Sequence, residues 1–157
     1  MGNMPRPKAE PYGVDAVTLP GAGGDVFVQN PMREVEAIMT ELRRVPDVLA
    51  VAVARRDGIL IAPDLPRGVD PKKVAAMSAV LVGTSEYAAR ELGQGRFLQC
   101  IVDTDQGKIL STGAGEEALL VTLVRPAANL GLILLAVEKA ARKLVVIFGR
   151  LPTGDAR

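Results

Sequence analysis

The stretch Val51–Pro63, VAVARRDGILIAP, contains two apolar runs on either side of Asp57-Gly58. In the first run valines alternate with alanines, so one face of the predicted strand is bulky, the other is small, and neither is polar. A strand of this kind is covered on both faces, and helices can pack closely against its alanine face. Asp57-Gly58 supplies the positive φ angles of a two-residue hairpin turn, and Ile59–Ile61 returns as the partner strand. The stretch therefore predicts a β-hairpin inside a layered domain.

Helices are predicted on both sides of this hairpin in the sequence. Asn30-Pro31 is a helix start, with Asn as the N-cap and Pro at the first helical position. The apolar residues that follow share one helical face: Met32, Val35, Ile38, Met39 and Leu42. Pro46 ends this helix, and Asp70-Pro71 begins a second helix in the same way.

The second predicted helix has two apolar stripes and no charge between Val74 and Ser85. We expect the main stripe to face the sheet. It consists of Val74, Met77, Leu81, Ala88 and Leu92. The second stripe, about 120 degrees round the helix, consists of Ala76, Val80, Gly83 and Tyr87. Because one domain cannot easily bury both stripes, the second indicates a helix from a second copy of the chain. The alternative is a helix sunk deeply in its own core.

Three further strands and a last helix complete the pattern. The strands are predicted at Phe97–Asp103, Lys108–Ala114 and Ala118–Val124, and their short links indicate an antiparallel meander. The last helix begins near Asn129. Its apolar stripe consists of Leu130, Ile133, Leu134, Val137, Ala141 and Leu144. The apolar run Val145–Phe148 either docks under the domain or forms an exposed contact patch.

The predicted fold class is α+β, with one five-stranded antiparallel sheet, helices on both faces and the order α-β-β-α-β-β-β-α. The predicted divisions are a flexible N-terminal arm at residues 1–30, the domain at 31–148 and a C-terminal tail from Gly149 at 149–157. Within the arm, Gly21–Gly24 matches no phosphate-binding pattern, so we interpret it as part of a linker.

The composition limits the possible functions. The 157 residues carry 19 Lys and Arg against 18 Asp and Glu, a balance that gives no reason to expect nucleic acid or a membrane surface as partner. The chain has one cysteine, no histidine, and no secretory signal or apolar run long enough to span a bilayer. We therefore expect a cytoplasmic protein without membrane insertion.

The candidate nucleophiles have no histidine to activate them, so we predict no catalytic residue, no cofactor and no metal site. These candidates are Cys100, Ser78, Ser85, Ser111 and several threonines. We interpret Cys100 as a structural thiol in mid-strand. Asp103 and Asp105 lack the loop of a calcium site, and the adjacent Glu116 and Glu117 point apart.

Arg55 and Arg56 precede the predicted hairpin turn and allow three interpretations. The favoured one is solvated surface, since charge beside a turn is ordinary. The second is contact with a partner. The third is an arginine finger that meets the charge developing on a transferred phosphoryl group. At most one of the two could serve as a finger, because adjacent strand residues point to opposite faces.

The order of these segments resembles the roadblock family of small GTPase regulators. The features that carry the resemblance are Asp57-Gly58 after an alternating strand, Gly113-x-Gly115 before Ala118–Val121, and Ala128–Leu132 at the start of the last helix. The resemblance spans roughly Pro31 to Leu144. Prokaryotic members are similar to polarity regulators that act on a Ras-like GTPase.

The resemblance implies a homodimer in which the strand at Phe97–Asp103 pairs with its copy and the second helices meet on one face. The implied dimer-interface residues are Ala76, Val80, Gly83, Tyr87, Phe97, Gln99 and Ile101. The outward side of the second helix, its rim and the hairpin tip would then bind partners. These candidate residues are Lys72, Lys73, Ala75, Ala79, Val82, Glu86, Arg55 and Arg56.

The function expected from this pattern is a non-catalytic homodimeric adaptor or regulator that binds a Ras-like small GTPase and modulates its GTP hydrolysis. One alternative is a dimeric scaffold for signalling or motility proteins that is indifferent to nucleotide. Another is a small-molecule sensor domain, which a core of Leu, Val, Ile and Met disfavours because few buried polar groups would orient a ligand.

Overall fold

The computed structural model describes residues 30–151, so most of the predicted arm, including Gly21–Gly24, and residues 152–157 lie outside the described residues. The predicted order of helices and strands is confirmed. The elements are α1 (Pro31–Arg43), β1 (Val48–Arg55), β2 (Leu60–Asp64), α2 (Pro71–Glu91), β3 (Gln99–Thr104), β4 (Gly107–Ala114), β5 (Ala118–Val124) and α3 (Leu130–Arg150).

The five strands form one antiparallel sheet in the order β2-β1-β5-β4-β3. α1 and α3 pack against each other on one face of the sheet, and α2 contacts all five strands. Because β1 and β5 are each flanked by strands on both sides and covered by helices on both faces, nearly all of their side chains are buried. The strands β2 and β3 form the two edges, and β3 is the more exposed of them.

Each helix begins at the capping residue that its sequence provides. Asn30 Oδ1 accepts a hydrogen bond from the Met32 N–H at 3.0 Å, and Asp70 Oδ1 accepts one from the Lys72 N–H at 3.0 Å. Asn129 Oδ1 caps α3 by accepting a hydrogen bond from the Leu132 N–H at 3.2 Å. These bonds satisfy backbone donors that would otherwise lack an intrahelical partner, which fixes where each helix starts.

The two faces of β1 differ as their side chains predict. Val51 and Val53 belong to the core cluster that α1 and α3 cover. The alanines of β1 point to the opposite face, beneath α2, where Ala75, Ser78 and Val82 of the helix are buried. Because both surfaces are built from small side chains, α2 lies close to the sheet.

The turn between β1 and β2 differs from the prediction of a two-residue hairpin. The Arg55 N–H donates to the Ile59 carbonyl at 2.7 Å, so the loop contains three residues. Among residues 56–58 only Gly58 has a positive φ, at 90°. This matches the three-residue hairpin, in which a single left-handed residue closes the loop, rather than the two-residue turn that requires two.

The predicted orientation of α2 is wrong. Met77 is 57% exposed, Leu92 and Ala88 are also exposed, and Val74 and Leu81 are only half-buried. The larger side chains of this stripe therefore do not cover the sheet. The cause is the small-residue face of β1, which admits the backbone of α2 closely and leaves no depth for a methionine or leucine there.

The end of α3 also differs from the prediction, because the helix continues through Gly149 to Arg150. The run Val145–Phe148 divides between two environments: Ile147 is buried, Phe148 is half-buried against the core, and Val145 and Val146 are exposed. Within residues 30–151, every helix falls short of the length and apolar character that crossing a bilayer requires.

Candidate interaction surface

The outward side of α2 carries apolar side chains that the domain leaves exposed. Val80 is 58% exposed and Tyr87 is 57% exposed, and the Arg90 guanidinium lies over the Tyr87 ring at 5.6 Å. A Cβ added at Gly83 would meet no atom within 4 Å among the described residues. We call this surface the α2 outer face; it consists of Ala76, Met77, Val80, Gly83, Thr84 and Tyr87.

The β3 strand adds a polar edge near this face. β3 pairs only with β4 within the described residues, so the backbone groups along its other edge are open to a further strand. Gln99 and Ile101 are exposed on β3, while Phe97 is half-buried just before the strand. Since α2 crosses the sheet as far as β3, the α2 outer face and this edge are neighbouring surfaces.

The predicted partner-binding residues of α2 fall in three environments. Lys72 and Lys73 are exposed at the first turn. The prediction that Ala75 and Val82 line the outward side of α2 is wrong. Both residues face the sheet, with exposures of 0% and 2%. Ala79 is half-buried beneath the hairpin, where a Cβ added at Gly58 would lie 3.6 Å from its Cβ.

Glu86, the remaining residue of that group, forms an ion pair with Arg56. Arg56 also donates from Nε and Nη2 to the Gly115 carbonyl at 3.2 and 2.9 Å, and its backbone N–H donates to the Glu117 carbonyl. The guanidinium therefore links the β1–β2 loop to α2 and to the β4–β5 turn. A Cβ added at Gly113 would lie 3.0 Å from Arg56 Nη2, so this glycine leaves room for the guanidinium.

The two arginines thus have different environments. Arg55 is exposed and forms a 2.6 Å ion pair with Asp57, as expected of a solvated surface residue. The same expectation is wrong for Arg56, whose side chain is 27% exposed and is held by a carboxylate and a carbonyl. To act as a finger in trans, Arg56 would first have to break these hydrogen bonds.

The nucleophilic and charged side chains of β3 and β4 do not come together in one site. Cys100 is half-buried and pairs in the sheet with Ser111. The Asp103 carboxylate accepts a 2.5 Å hydrogen bond from Lys108 Nζ. Among residues 30–151, no three His, Cys, Asp or Glu side chains lie together as metal ligands would.

A five-stranded antiparallel sheet with one helix on one face and two on the other, in this order of elements, defines a roadblock/profilin-like fold. Residues 34–124 match the model of the Roadblock/LC7 domain family, and the chain belongs to that family.

Three comparisons illustrate the relationship. The chain is 34% identical over 114 residues to the uncharacterized protein MJ1340 of Methanocaldococcus jannaschii, a match that covers 73% of this chain and 99% of that protein. It is similar in fold to Myxococcus xanthus MglB, with a TM-score of 0.71, 23% identity, and coverage of 75% of this chain and 97% of that one. A structure of MglB with a tetrameric arrangement gives a TM-score of 0.70, 24% identity, and coverage of 74% and 89%.

The contact between Arg56 and Glu86 is the feature that sequence reasoning missed. Two signals pointed toward it. Glu86 is the first charged residue after the uncharged run that begins at Val74, and Gly113-x-Gly115 has glycines on either side of a buried alanine. Neither signal identifies its partner, because the two residues lie 30 positions apart and meet only in the folded chain.

Proposed function

We propose that the chain is a homodimeric adaptor and regulator that binds a Ras-like small GTPase and modulates its GTP hydrolysis. The observation that supports this most strongly is the α2 outer face, an exposed apolar surface beside an open strand edge. Surfaces of this kind mark sites of protein association. The roadblock resemblance supplies the expected class of partner.

In the proposed dimer, β3 pairs with β3 of a second copy and the sheet continues across both chains. The two α2 outer faces then pack side by side, and Gly83 allows the helices to approach closely. The interface residues would be Ala76, Val80, Gly83, Tyr87, Phe97, Gln99 and Ile101. The tetrameric arrangement described for MglB supports the view that domains of this fold associate with copies of themselves.

The proposed GTPase contact includes the exposed cations Lys72 and Lys73 at the start of α2, together with Arg55 at the hairpin. Ala75 and Val82 are not part of it, because they are buried. Arg56 and Glu86 would hold the hairpin against α2 and so shape this surface. The chain would influence hydrolysis by stabilising catalytic residues of the GTPase rather than by donating an arginine.

The test is a binding measurement with the small GTPases encoded in the same genome, each loaded with GDP or with a non-hydrolysable GTP analogue. A regulator binds the two nucleotide states with different affinities, whereas a scaffold binds them equally. Lys72→Glu with Lys73→Glu should slow association, and Arg142→Glu on α3 is the control. Equal affinity for both states would overturn the regulator and favour the nucleotide-indifferent scaffold.

A further inference from the structure

Ion pairs between α1 and α3 flank an apolar groove that lies between the two helices. Glu34 near the start of α1 pairs with Arg150 at the end of α3, at 3.6 Å. Glu41 near the end of α1 pairs with Lys143 at 2.8 Å and with Lys139 at 3.7 Å. Residues along α1 therefore align with residues along α3 in the reverse order.

The groove between the helices has a volume of 120 Å³. Its floor is apolar and its rim carries one carboxylate and two ammonium groups. We call it the α1–α3 groove; it lies between Ile38, Glu41 and Leu42 of α1 and Ala136, Lys139 and Lys143 of α3.

The apolar surface continues past the groove toward the start of α1. Val146 follows Lys143 by one helical turn, faces the same side of α3, and is 54% exposed. The aligned ion pairs place Val146 level with the stretch of α1 around Ile38. This surface extends toward the start of α1, where Glu34 pairs with Arg150.

The rim of the groove has an excess of positive charge. Within residues 30–151, Glu41 is the one carboxylate that pairs with Lys139 and Lys143. Its hydrogen bond to Lys143 and the charge of that ammonium group lower the pKa of Glu41. Since one carboxylate cannot neutralise two ammonium groups, a second carboxylate would be attracted to the same rim.

The sequence immediately before α1 carries the matching groups. Residues 25–29 read DVFVQ, with an acidic residue two positions before an aromatic one. In an extended segment, Asp25 and Phe27 point to the same side. The segment is covalently attached at Asn30, so its effective concentration at the groove is high.

We propose that residues 25–29 fold back along α1 and occupy this surface, with Phe27 against Val146 and Ile38 and Asp25 at the Lys139–Lys143 rim. At about 3.3 Å per residue, Phe27 reaches about 10 Å from Asn30 and Asp25 about 16 Å. At about 1.5 Å per residue, Ile38 lies about 10 Å along α1 from Pro31 and Glu41 about 15 Å. Each side chain of the segment therefore arrives level with the group that complements it.

Disulfide cross-linking of the full chain tests the proposal in a Cys100→Ser background. Phe27→Cys with Val146→Cys should form an intramolecular disulfide, because docking brings the two Cβ atoms within bonding range. Phe27→Cys with Val145→Cys is the matched control, since Val145 is the adjacent residue, is 43% exposed and lies beside Gly115 rather than α1. We expect the Val146 pair to close at least about ten-fold faster.

Charge reversal separates docking from simple proximity. Lys143→Glu should slow closure of the Val146 pair, and adding Asp25→Lys should restore it. Three outcomes would overturn the proposal: equal rates for the Val145 and Val146 pairs, no disulfide in either pair, or cross-links only between molecules. The last outcome would show that a second copy of the chain occupies the groove. Amide hydrogen exchange in the unsubstituted chain provides a second measurement: protection at residues 26–28 supports docking, and free exchange contradicts it.

Discussion

The guanidinium of Arg56 and the carboxylate of Glu86 form an ion pair that joins the β1–β2 loop to the C-terminal third of α2. The same guanidinium donates two hydrogen bonds to the Gly115 carbonyl at the β4–β5 turn. One side chain therefore fixes three segments that are distant in sequence. Gly58 adds to this arrangement, because a Cβ added there would lie 3.4 Å from the Ala76 Cα and 3.6 Å from the Ala79 Cβ, so the loop approaches the helix closely.

Replacement of Arg56 by alanine should destabilise the domain by about 1–3 kcal/mol, since it removes charge-assisted hydrogen bonds and leaves the Gly115 carbonyl without its donor. Arg56→Lys should recover only part of this loss, because an ammonium group cannot reproduce the planar fork. Urea unfolding measures the change. Arg55→Ala is the control and should alter the free energy of unfolding by less than about 0.5 kcal/mol, because its ion pair is exposed. Equal losses for the two alanine variants would contradict the structural role of Arg56.

Glutamate substitutions at Val80 and Val82 test the orientation of α2. Val82 is 2% exposed and faces the sheet, so Val82→Glu should cost about 3 kcal/mol or more, through burial of a charge among apolar groups. Val80 is 58% exposed, and Val80→Glu should leave the stability of the isolated domain nearly unchanged. Thermal unfolding at low protein concentration measures both. A larger loss at Val80 would mean that the helix is turned the other way.

Thr122 lies in the core, and its hydroxyl is buried without a hydrogen-bond partner among the described residues. Valine has nearly the same shape and carries no polar atom. Thr122→Val should therefore stabilise the domain by about 1 kcal/mol. The control is Thr40→Val on α1, where the exposed hydroxyl donates to the Glu36 carbonyl and no gain is expected. A loss of stability at Thr122 would indicate that its hydroxyl is bonded in solution.

The ion pairs of Glu41 should make stability depend on pH in the acidic range. Lys143 lowers the folded-state pKa of Glu41 below its ordinary value of 4.5. The charged carboxylate therefore favours the folded state above pH 4.5, and this contribution is lost as the pH falls through the lower folded-state pKa. Glu41→Gln should be less stable than the wild type at pH 7, and the gap should close in acid. Urea unfolding from pH 7 to pH 3 measures the gap, and a gap that widens in acid would contradict this assignment.

Local patterns in the sequence predicted most of the fold. Asn30, Asp70 and Asn129 mark the helix starts, and the alternation of valine and alanine in β1 predicted a strand covered on both faces. These signals are local, since a cap or an alternating strand requires only neighbouring residues. They can therefore be recognised in the sequence without any knowledge of the tertiary structure.

The orientation of α2 could not be predicted in the same way. The rule that the bulkier stripe faces the core failed because the sheet surface beneath α2 is built of alanines, against which Ala75 and Ser78 pack more closely than Met77 could. Which stripe is buried depends on the depth available between helix and sheet. That depth is a property of both surfaces together and cannot be read from the helix alone.

The solution mass of the full chain tests the proposed assembly most directly. Light scattering should give the mass of a dimer for the wild type and of a monomer for Val80→Glu with Gly83→Glu, because the paired charges would be forced together across the α2 outer faces. Leu135→Glu on α3, also at an exposed apolar position, should remain a dimer. A wild-type monomer, or a dimer that both sets of substitutions leave intact, would contradict an interface at the α2 outer face.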